Sequence, residues 1–306
     1  MTERPVLAVV RSGSGAVSWQ RAGEAFLRRD IAPTTRRVYA LTLDAVERGL
    51  GSLPMAELAR GDLERAVVAA YGDVAPATWN RVVATVRSFV AYAARMGWVE
   101  ADLATGLERR RVIEDHDRAL SREQVERILT RRESPVRDRA LWRLLYETAA
   151  RANEVLGLNV EDVDLQARRA VTTRKGGDND VLHFQTGSAR LLPKVIAGRT
   201  HGPLFLSSRP AGPDRAVALR DVCPETGRHR LSYRRAADAF AQASGGRTLH
   251  QLRHSAITHL AEAGVPLPLL MAKSRHESLR TLQRYARPSV DAVAALTAEH
   301  DPYVRR

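Results

Sequence analysis

The sequence predicts a mainly α-helical protein with a small β-hairpin or sheet, divided into two domains. Its 306 residues suffice for about two domains, and 44% of them are hydrophobic, which is enough to bury ordinary cores. Apolar residues recur with the helical period in two long stretches, which a charged and aperiodic stretch separates. Short runs typical of strands occur only after residue 164.

The first domain, residues 15–105, is predicted to be a bundle of about four helices. A short helix covers residues 19–28, and the next is capped by Thr34 or Thr35 and ends at the glycines of residues 49–51. A third helix covers residues 62–71. The clearest helix covers residues 78–96, with one apolar face and with Arg81 and Arg87 on the other face.

Residues 106–120 are predicted to be a linker, because charge dominates them and the helical period lapses. The second domain, residues 121–300, begins with a helix for which Ser121 and Gln124 supply a capping box. A helix over 136–148 follows, and two short strands over 170–173 and 181–184 then flank a polar turn that carries Lys175. A further strand is expected at 202–206. The remainder is predicted to be helical, at residues 232–243, 250–263, 267–273 and 279–286.

The charge of the chain indicates the class of its partner. Lysine and arginine number 48 against 35 acidic residues, a formal excess of +13. Such an excess in a folded chain is most often matched to a polyanion, usually nucleic acid, because phosphate neutralisation releases counterions. A GC-rich genome could explain why nearly all the basic residues are arginine, but it does not explain the net charge. An anionic membrane surface is the weaker alternative, since no strongly amphipathic terminal anchor is evident.

Several other classes of protein are excluded by the sequence. Cys223 is the only cysteine, which excludes a disulfide framework within the chain and a Cys-based zinc module. The longest apolar runs are far shorter than the roughly 20 residues that span a bilayer. Residues 1–11 lack the architecture of a signal peptide. We therefore expect a cytoplasmic protein with no membrane partner.

Three local patterns in the second domain indicate chemistry. Arg151 lies in a turn of small residues, and Glu154 follows three positions later. Lys175 lies on the polar hairpin turn of a chain that has only three lysines. His250 and Arg253 are one helical turn apart, so their side chains share a face.

In a fourth pattern, His276 precedes Tyr285 by nine positions. Each of the four patterns alone also has an ordinary structural explanation, such as a surface ion pair or a packed tyrosine. A zinc site on His250 and His254 is disfavoured, because Gln251 stands where the metalloprotease motif has glutamate and no third ligand is evident. We expect neither a metal nor a cofactor.

Taken together and in this order, the four patterns resemble those of the tyrosine recombinases, also called phage integrases. The resemblance covers about residues 19–293. It implies that residues 15–105 form the helical, SAM-like core-binding domain and that residues 121–300 form the mixed α+β catalytic domain, the two holding DNA in a C-shaped clamp. It also implies six catalytic residues, namely Arg151, Lys175, His250, Arg253, His276 and Tyr285.

The resemblance further implies a site-specific DNA recombinase that needs neither metal nor ATP. Arg151 and Arg253 would bind the phosphate oxygens, since guanidinium groups stay charged and bind phosphate through paired hydrogen bonds. Tyr285 would attack phosphorus and form a 3′-phosphotyrosyl link. His250 would act as the general base for that tyrosine, and Lys175 as the general acid for the departing 5′-oxygen.

The surroundings of the second histidine depart from the family pattern. His276 itself is expected to hydrogen-bond a phosphate oxygen, and Glu154 is expected to support Arg151. Ser274 and Arg275 replace the Leu-Gly that usually precedes this histidine. We expect the lost glycine to alter the backbone there and the arginine to add positive charge near the scissile phosphate.

The resemblance also implies the partners. Duplex DNA is the expected ligand, with Arg81 and Arg87 near a groove, and four copies are expected to assemble on two recombination sites or to pair with a related recombinase. The compact length is similar to that of Xer-type members. Two alternatives are a noncatalytic DNA-binding relic of the fold and a type IB topoisomerase that only relaxes supercoils.

Overall fold

The computed structural model of the chain describes residues 17–112, 119–173, 179–210, 217–276, 278–282, 297–299 and 303. The chain divides into two units, Met1–Glu114 and Asp115–Arg306. Helices dominate both units, and small antiparallel sheets occur in the second. The predicted fold class, mainly α with a small sheet, is therefore confirmed. None of the described helices has the length and apolar character needed to cross a membrane.

The first unit is a bundle of four helices, joined in part by a 3₁₀ turn at Met55–Glu57. Local signals start these helices: Ser18 caps the first by accepting a hydrogen bond from the backbone N–H of Arg21, and prolines occupy the first positions of the second and fourth. The helices are α1 (Trp19–Leu27), α2 (Pro33–Leu50), α3 (Arg60–Tyr71) and α4 (Pro76–Arg95).

Aromatic side chains form the centre of this first core. The ring of Phe89 packs edge-on against Trp19, with centroids 4.7 Å apart, and against Phe26, with centroids 5.4 Å apart. The indole N–H of Trp19 donates to the carbonyl of Leu43, 3.1 Å away, so the buried ring has no unsatisfied polar atom. α1, α2 and α4 are thereby fixed around one cluster.

Residues 107–110 pack along α4. Leu107 is buried, the indole N–H of Trp79 donates to the carbonyl of Glu108, and the side-chain amide of Asn80 exchanges two hydrogen bonds of 2.8 Å with the backbone of Arg110. This part of the predicted linker is therefore held by the first unit.

The second unit alternates helices with short strands. Its helices are α5 (Arg122–Thr130), α6 (Val136–Thr148), α7 (Ala152–Leu156), α8 (Thr186–Ile196), α9 (Tyr233–Ser244), α10 (Leu249–Glu262), α11 (Leu267–Ser274) and α12 (Leu279–Leu282). Its strands are β1 (Val163–Asp164), β2 (Arg169–Thr173), β3 (Asn179–His183), β4 (Leu206–Pro210) and β5 (Arg228–Arg230). The remainder of the helix predicted at 279–286 lies outside the described residues.

α6 is the central helix of this unit. It is buried on most of its surface and packs against α5, α8, α9 and α10. Trp142 and Phe240 meet edge to face in the same core, with ring centroids 5.5 Å apart. The predicted capping box of α5 is confirmed, because Ser121 accepts from the N–H of Gln124 and the Gln124 side chain accepts from the N–H of Ser121.

The larger sheet positions the hairpin that the sequence predicts. β1, β2 and β3 are antiparallel neighbours in that order, and β2 pairs with β3 so that Thr172 faces Asp180 and Thr173 faces Asn179. Ala170 and Leu182 are fully buried on one face of this pair, which fixes its register against the core. The smaller sheet joins β4 to β5.

Two local predictions are wrong, and the predicted end of α2 is confirmed. α2 begins at Pro33 with Ala32 as its cap, ahead of the two threonines, because the fixed φ of proline suits the first helical position. The helix ends at Leu50 with Gly51 as its cap at φ of 66°, within the predicted 49–51, and Gly49 lies in the last turn, where a Cβ would lie 2.9 Å from the Cα of Ala66. The strand expected at 202–206 begins only at Leu206, where pairing with β5 starts.

Candidate active site

The first arginine of the predicted site lies at a sharp turn between two helices. α6 ends where Ala149 adopts the left-handed conformation, with φ of 51°, and α7 begins three residues later with Arg151 as its cap residue. The hydroxyl of Thr148 donates to the carbonyl of Leu144 and accepts from the N–H of Ala150. The turn is therefore closed by its own hydrogen bonds, which fix the backbone direction from which the Arg151 side chain projects.

Glu154 holds Arg151 in place. One carboxylate oxygen accepts from the guanidinium of Arg151 at 2.8 Å, and the other accepts from the backbone N–H of the same residue at 2.9 Å. Burial raises the pKa of Glu154, but hydrogen bonds from Arg151 and the charge of Arg275 outweigh that effect and hold the pKa below its usual value. The carboxylate stays ionised, and the Arg151 side chain remains 53% exposed.

Arg253, on α10, connects three parts of the second unit. Its Nη1 donates to the carbonyl of Ala149 at 2.6 Å, and its Nη2 donates to the carbonyl of Ser274 at 2.7 Å. The same Nη2 lies 3.3 Å from Nε2 of His276. Arg253 is only 2% exposed, so these bonds form within the core and join the end of α6 to the end of α11.

The hydrogen bonds around His276 fix its tautomer. A guanidinium can only donate, so Nε2 of His276 accepts from Arg253 and the proton of the neutral ring is on Nδ1. Nδ1 then donates to the hydroxyl of Ser274 at 2.7 Å, and that hydroxyl donates to the carbonyl of Leu270. Burial, followed by the positive charges of Arg253 and Arg151, lowers the pKa of His276 to about 4, so the ring is neutral at pH 7.

One cavity of the second unit is lined by three of the six predicted catalytic residues. Its volume is about 210 Å³, and Arg151, His250 and Arg253 line it together with Tyr233. The first residues of α7, α9 and α10 also line this cavity. The guanidinium groups at this cavity favour an anion such as a phosphodiester, whose negative charge grows in the transition state of cleavage.

Lys175 and Tyr285, the predicted acid and nucleophile, lie outside the described residues. The described part of the site therefore consists of the two arginines, the two histidines and Glu154. Tyr233 was missed by sequence reasoning. It is 48% exposed at the first position of α9, directly after the capping serine Ser232, and an exposed aromatic residue at such a position is the signal that could have found it.

Arg275 differs from what the sequence leads one to expect. It occupies the left-handed conformation that caps α11, with φ of 55°, a conformation that glycine adopts without strain. Its side chain is 3% exposed, and its guanidinium donates to Glu154 at 3.1 Å and lies 3.7 Å from the carboxylate of Asp180. The added positive charge is therefore buried against two carboxylates, yet it lies close enough to His276 to help lower the pKa of that ring.

The two arginines predicted to contact DNA lie on α4 in the first unit. Arg81 and Arg87 are both exposed. The guanidinium of Arg81 donates to the hydroxyl of Thr78, and that of Arg87 donates to the carbonyl of Leu107, 2.9 Å away. Arg87 thus helps to hold the segment after α4, and both side chains stay accessible from solvent.

Among the described residues, no group of three or more His, Cys, Asp or Glu side chains is close enough together to hold a metal ion.

Comparison with known proteins identifies both units. The phage integrase family matches residues 118–291, and the N-terminal SAM-like domain of phage integrases matches residues 24–97. The tyrosine recombinase XerC of Erythrobacter litoralis (strain HTCC2594) is 30% identical over 91% of this chain and 89% of its own length. The tyrosine recombinase XerD of Mycobacterium leprae (strain TN) is 29% identical over 80% of this chain and 79% of its own length.

Solved structures share the fold at lower identity. The integrase of the Tn1549 transposon, in complex with circular intermediate DNA, has a TM-score of 0.68 and 16% identity, covering 92% of this chain and 99% of the integrase chain. A lambda integrase tetramer bound to a Holliday junction has a TM-score of 0.70 and 15% identity, covering 89% of this chain and 78% of the lambda chain. The family matches and the 30% identity to a XerC protein together show that this chain belongs to the phage integrase family, the tyrosine recombinases.

Proposed function

We propose that this chain is a site-specific recombinase that cleaves one DNA strand with Tyr285, holds the cut end as a 3′-phosphotyrosyl link and rejoins it to another strand. The link keeps the energy of the phosphodiester bond, so rejoining needs no ATP. The observation that carries the proposal is the single cavity lined by Arg151, His250 and Arg253, with His276 bonded to Arg253.

Charge stabilisation is the task that we assign to the two arginines. The exposed guanidinium of Arg151 and the buried one of Arg253 would bind the nonbridging oxygens of the scissile phosphate. As negative charge grows on the phosphorane-like transition state, these fixed donors gain strength without having to reorient. Losing one such donor typically costs about 10²–10³ in rate.

Proton transfer falls to three other residues. A tyrosine hydroxyl ionises near pKa 10, so His250 would accept its proton during the attack, and Lys175 would give a proton to the departing 5′-oxygen. His276 cannot donate from Nε2 in its neutral form, because that atom accepts from Arg253. We propose that the negative charge of a bound phosphate raises the pKa of His276 from about 4, so that the ring takes up a proton and donates to a nonbridging oxygen.

Duplex DNA is the proposed substrate of both units. Support comes from the net charge of +13, from the exposed arginines Arg81 and Arg87 on α4, and from the DNA-bound integrases that share the fold. We infer that four copies assemble on two sites, as the lambda integrase tetramer does on a Holliday junction, or that the chain pairs with a related recombinase. Because this substrate is cellular DNA, we expect the protein to act in the cytoplasm.

Trapping the covalent intermediate tests the proposal. Nicked duplexes with a randomised core are incubated in EDTA with the wild-type chain, with Tyr285→Phe and with Tyr303→Phe, which removes the hydroxyl of an exposed tyrosine elsewhere in the carboxy-terminal segment. We expect adducts from the wild type and from Tyr303→Phe, and DNA binding without an adduct from Tyr285→Phe. An adduct that persists in Tyr285→Phe would refute the assignment of the nucleophile.

The same experiment separates the alternatives. A noncatalytic relic of the fold would bind DNA with strong salt dependence and give no adduct with any of the three proteins. A type IB topoisomerase would give the adduct and relax supercoils, yet would not exchange strands between two duplexes. Strand exchange between two duplexes that carry the selected site is the result that we expect.

A further inference from the structure

The carboxylate of Glu154 is shared by two arginines. One oxygen accepts from the guanidinium of Arg151, and the other accepts both from the backbone N–H of Arg151 and from Nη2 of Arg275. The two guanidinium groups differ sharply in exposure, since the Arg151 side chain is 53% exposed and the Arg275 side chain 3%. One partner of Glu154 thus points to the cavity and the other lies in the core.

Arg275 also connects segments that are far apart in the sequence. It immediately precedes His276, its bond to Glu154 spans 121 residues, and its Nε faces the carboxylate of Asp180 on β3 at 3.7 Å. Asp180 follows Lys175 by five positions in the chain. The buried side chain of Arg275 therefore links the segment that leads into His276 to α7, which Arg151 caps, and to β3.

The backbone conformation of Arg275 is unfavourable for an arginine. The residue caps α11 with φ of 55° and ψ of 43°, where a side chain other than that of glycine is strained. A buried guanidinium is also costly unless it is paired. Two unfavourable features therefore coincide at one residue, and the contacts that offset them are hydrogen bonds to Glu154 and to the carbonyl of Lys273 and the charge of Asp180 nearby.

Charge balance gives this arrangement a consequence for the reaction. A carboxylate paired with Arg151 alone would neutralise the guanidinium that must bind the phosphate. Because Arg275 supplies a second positive charge to the same carboxylate, Glu154 can orient Arg151 without that guanidinium alone balancing its charge. Asp180 also faces Arg275, so the two arginines and two carboxylates sum to about zero, and Arg275 changes how the negative charge of Glu154 is shared without adding net charge to the cavity. Without Arg275, Arg151 would be the arginine that balances the whole negative charge of Glu154.

We propose that Arg275 is a positioning residue, which keeps Arg151 available to the scissile phosphate by sharing the charge of Glu154. The inference rests on the proposed recombinase function. It assigns to Arg275 no contact with DNA, because its side chain is buried, and it predicts that Arg275 acts through Glu154.

A merely structural role would have a different signature. If Arg275 only stabilised the fold, then neutralising Glu154 in its absence would add a second loss to the first. If Arg275 acts by balancing the charge of Glu154, then replacing that carboxylate by an amide removes the charge that needs balancing. The sign of the interaction between the two substitutions therefore decides between these roles.

The experiment measures the rate of adduct formation under single-turnover conditions, on one nicked duplex selected with the wild-type chain. The variants are Arg275→Gly, which suits the left-handed backbone, Arg275→Lys, which keeps the charge, Glu154→Gln, and Arg275→Gly combined with Glu154→Gln. Arg143→Gln is the matched control, because Arg143 is a mostly buried arginine of the same unit whose ion pair, with Glu126, lies on other helices. DNA affinity and thermal melting are measured for every variant.

We expect Arg275→Gly to slow adduct formation by about 10- to 100-fold, less than the loss of a phosphate donor itself, while DNA affinity changes little. The double variant should be about threefold or more faster than Arg275→Gly alone, Arg275→Lys should be intermediate, and Arg143→Gln should match the wild type. Should Arg275→Gly melt too early to assay, Arg275→Asn, which is also neutral and tolerates the left-handed backbone, gives the same comparison alone and combined with Glu154→Gln.

Two results would overturn the inference. One is an Arg275→Gly rate equal to that of the wild type, and the other is a double variant slower than Arg275→Gly. Failure of the proposed function gives a different result, since the wild-type chain itself would then form no adduct with any duplex of the randomised pool.

Discussion

Replacing Arg253 by alanine should unfold the second unit at a much lower temperature, in addition to abolishing DNA cleavage. The guanidinium of Arg253 is the charged donor for two buried carbonyls, those of Ala149 and Ser274. Alanine would leave both carbonyls without this donor in a site that is only 2% exposed. The substitution thus removes a bond from the end of α6 and a bond from the end of α11 at once.

The size of the effect follows from these two bonds. Hydrogen bonds to charged groups contribute about 1.5–3 kcal/mol each, so losing both should lower the free energy of unfolding by about 3–6 kcal/mol. For a unit of this size, each kcal/mol shifts the melting temperature by about 2–4 °C, which gives a decrease of about 6–24 °C. Arg253→Lys can satisfy one carbonyl and should lose about half as much.

Arg151→Ala is the matched control for this prediction. Arg151 has the same proposed task, yet its side chain is 53% exposed and its ion partner is Glu154 at 2.8 Å. Glu154 is 13% exposed and keeps Arg275 as a second partner, so losing the exposed guanidinium should cost about 0–1 kcal/mol and the melting temperature should fall by no more than about 4 °C. Calorimetric melting of both variants tests the reasoning. It would be refuted if Arg253→Ala melted like the wild type or if Arg151→Ala lost as much stability.

Three further predictions concern pH, a buried carboxylate and salt. The pKa of His276 is about 4 in the folded chain, below its ordinary value of 6.5, so the unfolded chain binds the proton first and the free energy of unfolding should fall as pH drops from about 6.5 to 4. In urea unfolding, His276→Gln should show a smaller fall over this range than the wild type. An equal fall in both proteins would contradict the lowered pKa. Glu147 accepts hydrogen bonds from the backbone N–H groups of Gln185 and Ser188, so Glu147→Gln should lose about 1–3 kcal/mol in urea unfolding, and no loss would argue against these bonds. The logarithm of DNA affinity should fall with the logarithm of salt concentration with a slope of about −0.9 per phosphate contacted. Arg151→Ala should make the total slope less steep by about one. An unchanged slope would show that Arg151 does not contact a phosphate.

Sequence reasoning succeeded where the signal is local. The helix predicted at 136–148 has the observed bounds, because its apolar residues follow one period over thirteen positions and Pro135 precedes it. The capping box of Ser121 and Gln124 is confirmed because both partners lie within one helical turn. The family was recognisable for a similar reason, since each of its four motifs is short and their order survives in the chain.

Sequence reasoning failed where distant residues decide the structure. α8 was not predicted, because Pro193 lies inside it and its first turn is capped by the carboxylate of Glu147, from a helix almost forty residues earlier. The burial of Arg275 was equally out of reach. Its partner Glu154 lies 121 residues away, and nothing in the local sequence indicates that a charged side chain at this position turns inward.

The contrast between Arg151 and Arg253 bears on how such a chain would decay. Arg253 is bound into the fold, so selection for folding alone would preserve it long after DNA cleavage had ceased to matter. Arg151 is exposed and supports little besides the reaction, so random substitution would remove it first once cleavage was no longer selected. The position of Arg151, more than that of Arg253, therefore distinguishes a working member of this lineage from one that survives only as a DNA-binding remnant.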